Sequence, residues 1–145
     1  MLIKHLFESS SLKLYRATTE QSRYPGKFWT EFPELANRYA KKTGRTLPRK
    51  IETTVVNFSR DDVLDVGNPP EIEKELFIKW FNKYYPDMDI EDAHGPYLYE
   101  VLYNGETDFP YPTEIDRQYL KYRGYKAVFF EYEGGEKVNS WFIPN

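Results

Sequence analysis

The chain has 145 residues, with 20 Lys and Arg against 23 Asp and Glu, a formal net charge of −3 and a sequence pI near 5.5. That length fits one compact domain, 1–145, and the acidic balance supplies no basic field of the kind that condenses onto a phosphate backbone, so general nucleic-acid binding is not expected. With no cysteine and only His5 and His94, disulfides, thiolate nucleophiles and Cys- or His-based metal clusters drop out, and no metal is expected.

The start, MLIKHLFESSS, lacks the uninterrupted apolar core of a secretory signal, and no later stretch approaches the ~20 apolar residues of a membrane span. The expectation is a soluble, cytoplasmic protein without membrane contact. Tyr, Phe and Trp number 13, 10 and 3, an excess that suits a small core of few large side chains and equally suits a partner-binding surface.

In chain order, Leu12, Leu14 and Arg16 alternate with Lys13 and Tyr15, a short strand whose arginine shares a face with two leucines. After a polar loop and Gly26, Lys27-Phe28-Trp29-Thr30 reads as a second short strand leading into a helix. That helix starts with Pro33, carries Leu35, Ala36, Tyr39 and Ala40 as its apolar stripe, and stops at Gly44. Arg49 to Phe58 is rich in β-branched residues and predicts a buried strand, followed by an extended piece at Val63 to Val66. Asn68-Pro69-Pro70 opens a core helix with Ile72, Leu76, Phe77, Trp80, Phe81 and Tyr84 at helical spacing. Tyr97 to Leu102 fits either a strand or a short helix. Thr113 followed by Asp116 resembles an acidic capping box ahead of the stripe Ile115, Tyr119, Leu120, with Gly124 as terminator. Tyr125 to Tyr132 and Lys137 to Ile143 read as two strands around the two-residue turn Gly134-Gly135. The pattern predicts an α+β fold.

Arg16 is the first candidate for chemistry, because an ionised guanidinium among apolar neighbours needs an acidic or phosphate partner or a route to water. Its plain alternative is a strand arginine paired with a surface carboxylate. Thr30 precedes the helix, but Pro33 at the first helical position moves the cap to Phe32 and leaves the Thr30 hydroxyl for another use. Phe28, Trp29 and Tyr39 are placed to stack on a flat heterocycle, although aromatics beside a short helix are more often core. Glu131, Glu133 and Glu136 flank the glycine turn, where a carboxylate facing an electrophilic sugar carbon stabilises an oxocarbenium-like transition state; a solvated turn is the plainer reading.

Three blocks in this order carry a resemblance: Leu14-Tyr15-Arg16-Ala17-Thr18; Gly26-Lys27-Phe28-Trp29-Thr30 with Pro33-Glu34-Leu35-Ala36 and Tyr39-Ala40; and Gly124-Tyr125-Lys126-Ala127-Val128 before a terminal strand. Together they resemble the ADP-ribosyltransferase superfamily, especially small bacterial toxin and bacteriophage members. The resemblance implies split antiparallel sheets with flanking helices, and an NAD-binding cleft between two small sheets. Arg16 and Ala17 then contact the dinucleotide and its nicotinamide amide, with Phe28 and Trp29 beside them. Thr30 lies by the nicotinamide ribose and Tyr39 supports the pocket.

The family's closing strand carries a catalytic glutamate. If Ser140-Trp141-Phe142-Ile143-Pro144 is that strand, the position falls near Asn139, and the nearest upstream carboxylate is Glu136. Asparagine accepts a ribose hydrogen bond but brings no negative charge, and loss of one preorganised electrostatic group costs ~10²–10³ in rate. The implied activity is mono-ADP-ribosyl transfer from NAD to a macromolecular acceptor, expected to be a protein, with Arg16, Thr30 and Glu136 as its catalytic set. The alternative is a catalytically inactive module of that fold, a phage or mobile-element protein that binds and inhibits a host factor. An NAD sensor without turnover is a third reading.

Overall fold

The computed structural model describes residues 11–18, 24–41, 50–92 and 94–145. Within them the fold is α+β: four α-helices and one six-stranded mixed sheet. The strands are β1 (Leu12–Ala17), β2 (Gly26–Thr30), β3 (Ile51–Val56), β4 (Val63–Asp65), β5 (Ala127–Glu133) and β6 (Glu136–Pro144). The helices are α1 (Pro33–Lys41), α2 (Glu73–Tyr84), α3 (Leu98–Asn104) and α4 (Glu114–Arg123). Across the sheet the strand order is β3-β1-β2-β6-β5-β4, antiparallel except for the β4–β5 pair.

The expected two small antiparallel sheets are therefore one sheet with a parallel edge. It is uneven: β1 and β3 pair along their whole length and β2 and β6 over five residues, but β1 and β2 register only at Tyr15↔Thr30. No helix among the described residues is long and apolar enough to cross a membrane.

Side chains alternate between two faces, and each face has its own core. On one face, Leu64, Val128, Phe130 and Phe142 meet Phe77 and Phe81 of α2, Leu98 and Val101 of α3, and Ile115, Tyr119 and Leu120 of α4. On the other, Leu14, Val63, Ala127, Phe129 and Trp141 form a smaller cluster edged by Leu12, Trp29, Val56, Phe58 and Ile143. The link from β3 at one sheet edge to β4 at the other contributes Phe58, which stacks on Trp141 with ring centres 5.7 Å apart.

Several expectations change in detail. The β-branched β3 is an edge strand, with Val55 64% exposed rather than buried. Ile72 precedes α2 and, like Tyr84 at its end, is exposed, so the buried stripe narrows to Phe77, Trp80 and Phe81. The ambiguous stretch after Pro96 is helix α3. Asp116, on α4, accepts the backbone N–H groups of Tyr97 (2.8 Å) and Leu98 (2.9 Å) and so caps a helix 18 residues upstream. The Thr113–Asp116 box itself forms as read, and Gly124 ends α4 at φ 78°. Gly134 and Gly135 make the β5–β6 turn with φ of 59° and 82°, the doubly positive geometry that only glycine adopts without strain. The Gly44 stop, His5 and the opening MLIKHLFESS lie outside the described residues.

Candidate functional site

Register decides which side chains can meet, because residues directly opposite on antiparallel strands share a face. Arg16 stands opposite Glu52 on β3, Trp29 opposite Trp141 on β6, and Tyr15 opposite Thr30. Arg16, Trp29, Glu52 and Trp141 thus share the face of the smaller core. Thr30 and Phe28 share the other.

On the first face, Arg16 is 9% exposed, and its guanidinium donates to Glu52 Oε2 at 2.9 Å and lies over the Trp29 indole, 5.5 Å from its centre. Just past the end of β2, Glu31 accepts the Trp141 Nε1–H at 3.0 Å. The patch therefore holds one guanidinium and two carboxylates, and its local charge opposes a diphosphate rather than attracting it. Arg16 has found the carboxylate partner that a buried guanidinium requires.

Thr30 does not join this patch, contrary to the expectation that its hydroxyl is left for another use. It is buried, donates to the Val138 carbonyl at 2.6 Å and accepts the Phe32 N–H at 3.1 Å, so it locks β2 to β6 and turns the chain into α1. Phe28 is likewise turned away from Arg16. Its ring packs against Tyr24, Phe142 and Phe130 at 5.3, 5.1 and 6.2 Å. Ala17 closes β1 opposite Ile51, and the next residue, Thr18, donates its N–H to the Lys50 carbonyl at 2.8 Å.

Glu136 and Tyr39 gather at a third place. Glu136 starts β6 beside the glycine turn, is 52% exposed and forms an ion pair with the exposed Arg38 of α1, an arrangement of small energetic weight. The Tyr39 hydroxyl is held above its ordinary pKa by burial and by the charges of Glu133 and Glu136. Glu136 is therefore a surface carboxylate with a surface partner, not an inward acid.

Asn139 sits between these places and is the strained residue of the set. A β-bulge sets two β6 residues, Val138 and Asn139, against Glu131 of β5, and Asn139 adopts φ 39°, a left-handed conformation that asparagine tolerates better than most residues. Its carbonyl accepts the Glu31 N–H at 3.1 Å, while its side chain is buried and Oδ1 meets no hydrogen-bond donor. A neutral amide thus occupies the position where the resemblance asks for an acid.

The structure brings Arg16 and Trp29 together and separates them from Thr30, Phe28, Glu136 and Tyr39. Glu31, Glu52 and Trp141, all part of the Arg16 patch, were not read as site residues. The only signal for Glu52 in the sequence was its two-residue spacing from Thr54 and Val56, which becomes informative only once the β1–β3 register is known. No three His, Cys, Asp or Glu side chains among the described residues are grouped to hold a metal ion. In comparisons with known proteins, no family model matches the chain, and neither a curated protein nor a solved structure is significantly similar to it.

Proposed function

We propose that the chain is a non-catalytic module of the ADP-ribosyltransferase type, working by binding a protein rather than by consuming NAD. If it is encoded by a phage or mobile element, that protein is a host factor, met in the cytoplasm. The type rests on the three sequence blocks. The non-catalytic part rests on one observation: the groups that transfer needs do not converge. Arg16 is neutralised by Glu52, Thr30 bonds backbone on the opposite face, Glu136 is paired at the surface with Arg38, and position 139 holds an uncharged amide.

A second reading, NAD-dependent mono-ADP-ribosyl transfer to a protein acceptor, is favoured by Glu31. This carboxylate lies on the Arg16–Trp29 face and is oriented by the Trp141 indole, so it could carry the charge that Asn139 lacks.

Incubation with labelled NAD and cell lysate separates the two. The expected outcome is no label transfer, no nicotinamide release above a protein-free control, and no saturable heat on titration with NAD. Nicotinamide release that is lost in Glu31→Gln and Arg16→Ala but kept in Glu136→Gln overturns the non-catalytic reading and makes Glu31 the acid.

A further inference from the structure

The sequence is acidic overall, yet residues 76–86 of α2 and its C-terminal flank, and residues 117–126 of α4 and the turn beyond it, contain no Asp or Glu at all. These two stretches meet through an aromatic ridge. Tyr84 packs against Trp80 at 5.9 Å between ring centres, and Trp80 against Tyr122 at 6.3 Å, so one helix continues into the other. Trp80 is nearly buried, but Tyr84 and Tyr122 remain 56% and 57% exposed. Three cations lie in the same stretches, Lys79, Lys83 and Lys121, all exposed, and none reaches a carboxylate within ion-pair distance among the described residues. Lys83 lies over the ring of Tyr84 at 5.3 Å. By contrast, the other basic residues of 117–126 are engaged: Arg117 with Glu114, Arg123 with Glu73 and Lys126 with Asp62.

We propose that the α2–α4 ridge is the docking surface of the module, and that its occupant is an acidic segment of a partner protein carrying aromatic or apolar side chains between its carboxylates. This rests on the non-catalytic reading above and gives it a surface. Exposed tyrosines supply large contact area at low entropic cost, and three lysines on the same two stretches, one of them over the Tyr84 ring, supply complementary charge that steers and orients an acidic ligand. A single-stranded nucleic acid fits less well. Trp80 offers almost no open ring face for a base, Tyr84 is tilted 44° against it, and a long polyanion meets the repulsion of a chain with net charge −3. A short acidic segment feels chiefly the local lysines.

The test is fluorescence anisotropy of a short fluorescein-labelled Glu/Tyr peptide with the full chain, with a Lys/Tyr peptide and an oligo(dT) of matched length as comparison ligands. The expected result is saturable binding of the Glu/Tyr peptide alone, weakened by salt, and weakened at least ~10-fold by Lys83→Glu combined with Lys121→Glu and by Tyr122→Ala. Circular dichroism and urea melts verify that the variants fold; the exposed Lys83 and Lys121 are expected to leave the melts nearly unchanged, whereas Tyr122→Ala loses ring contacts to Trp80 and Tyr119 and is expected to lower them slightly, so the lysine pair decides if it does not fold. No saturable binding, binding indifferent to these substitutions, or tighter binding of oligo(dT) overturns the proposal. Nicotinamide release, measured on the same preparation, reports on the non-catalytic reading separately, so the failure of one is distinguishable from the failure of the other.

Discussion

Asp116 shows how much one side chain can hold. It is fully buried and accepts four hydrogen bonds, from the N–H groups of Tyr97, Leu98 and Thr113 and the Thr113 hydroxyl, which ties the start of α3 to the start of α4. Burial pushes its carboxyl up to about 6 from an ordinary 3.8, with the four donors pulling the other way. Between those values the folded chain holds a proton that the unfolded chain has released, so this group's contribution to stability falls as pH rises from about 4 to about 6, by at most ~3 kcal/mol. Urea melts across that range are expected to show a steeper decline in the natural chain than in Asp116→Asn, where Asp65, also raised by burial, still contributes. Asp116→Ala leaves the two α3 donors and the Thr113 N–H without their acceptor and is expected to cost ~2–4 kcal/mol at neutral pH in the same melts. Glu73 acts in the opposite sense. Although burial raises its pKa, hydrogen bonds from Arg123, Tyr119 and Tyr125 outweigh that and hold it below the usual carboxylate range, so the stability it lends is lost only on acidification.

At the scale of elements, short-range chemistry, the β5–β6 hairpin included, was legible, and long-range pairing was not. The Pro33 start of α1, the Thr113–Asp116 box, the Gly124 stop and the Gly134-Gly135 turn depend on a few neighbouring residues, and each was read correctly from them. The helical identity of α3 was illegible because its cap, Asp116, comes from another element. The same reason hid Glu73: an acid in the first turn of a helix reads as a solvated complement to the helix dipole, whereas here it is buried among three partners brought by α4 and the residues after it. Two of the site candidates lie apart for a related reason. Arg16 and Thr30 lie on neighbouring strands, but the Tyr15↔Thr30 register turns them to opposite faces, and a shift of one residue would have turned them together. Gly26 shows how tightly β2 is fitted to β6. A Cβ there would lie 2.6 Å from the Ile143 carbonyl oxygen and 2.7 Å from Pro144 Cα, both backbone atoms that cannot swing aside. Gly26→Ala is therefore expected to destabilise the chain by ~2 kcal/mol or more in thermal or chemical melts.

For the molecule as a whole, the α+β class was a correct guide, and the aromatic excess, which the sequence left open between core and surface, supplies rings to the core on both sheet faces and leaves several tyrosines exposed. What composition could not convey is how unequally the sheet is joined. Since β1 touches β2 at one rung while pairing with β3 along six, few backbone bonds join the β1–β3 pair to the β2–β6–β5 strands, and side chains such as the buried Leu14 supply the rest of its hold. Amide hydrogen exchange should therefore find two cooperative units, with the β1 and β3 amides exchanging through a partial opening of lower free energy than that protecting β5 and β6. Uniform protection across all four strands would contradict this. Arg16 and Glu52 both belong to the β1–β3 pair, so their ion pair would outlast such an opening, whereas the contact of Arg16 with Trp29 would not.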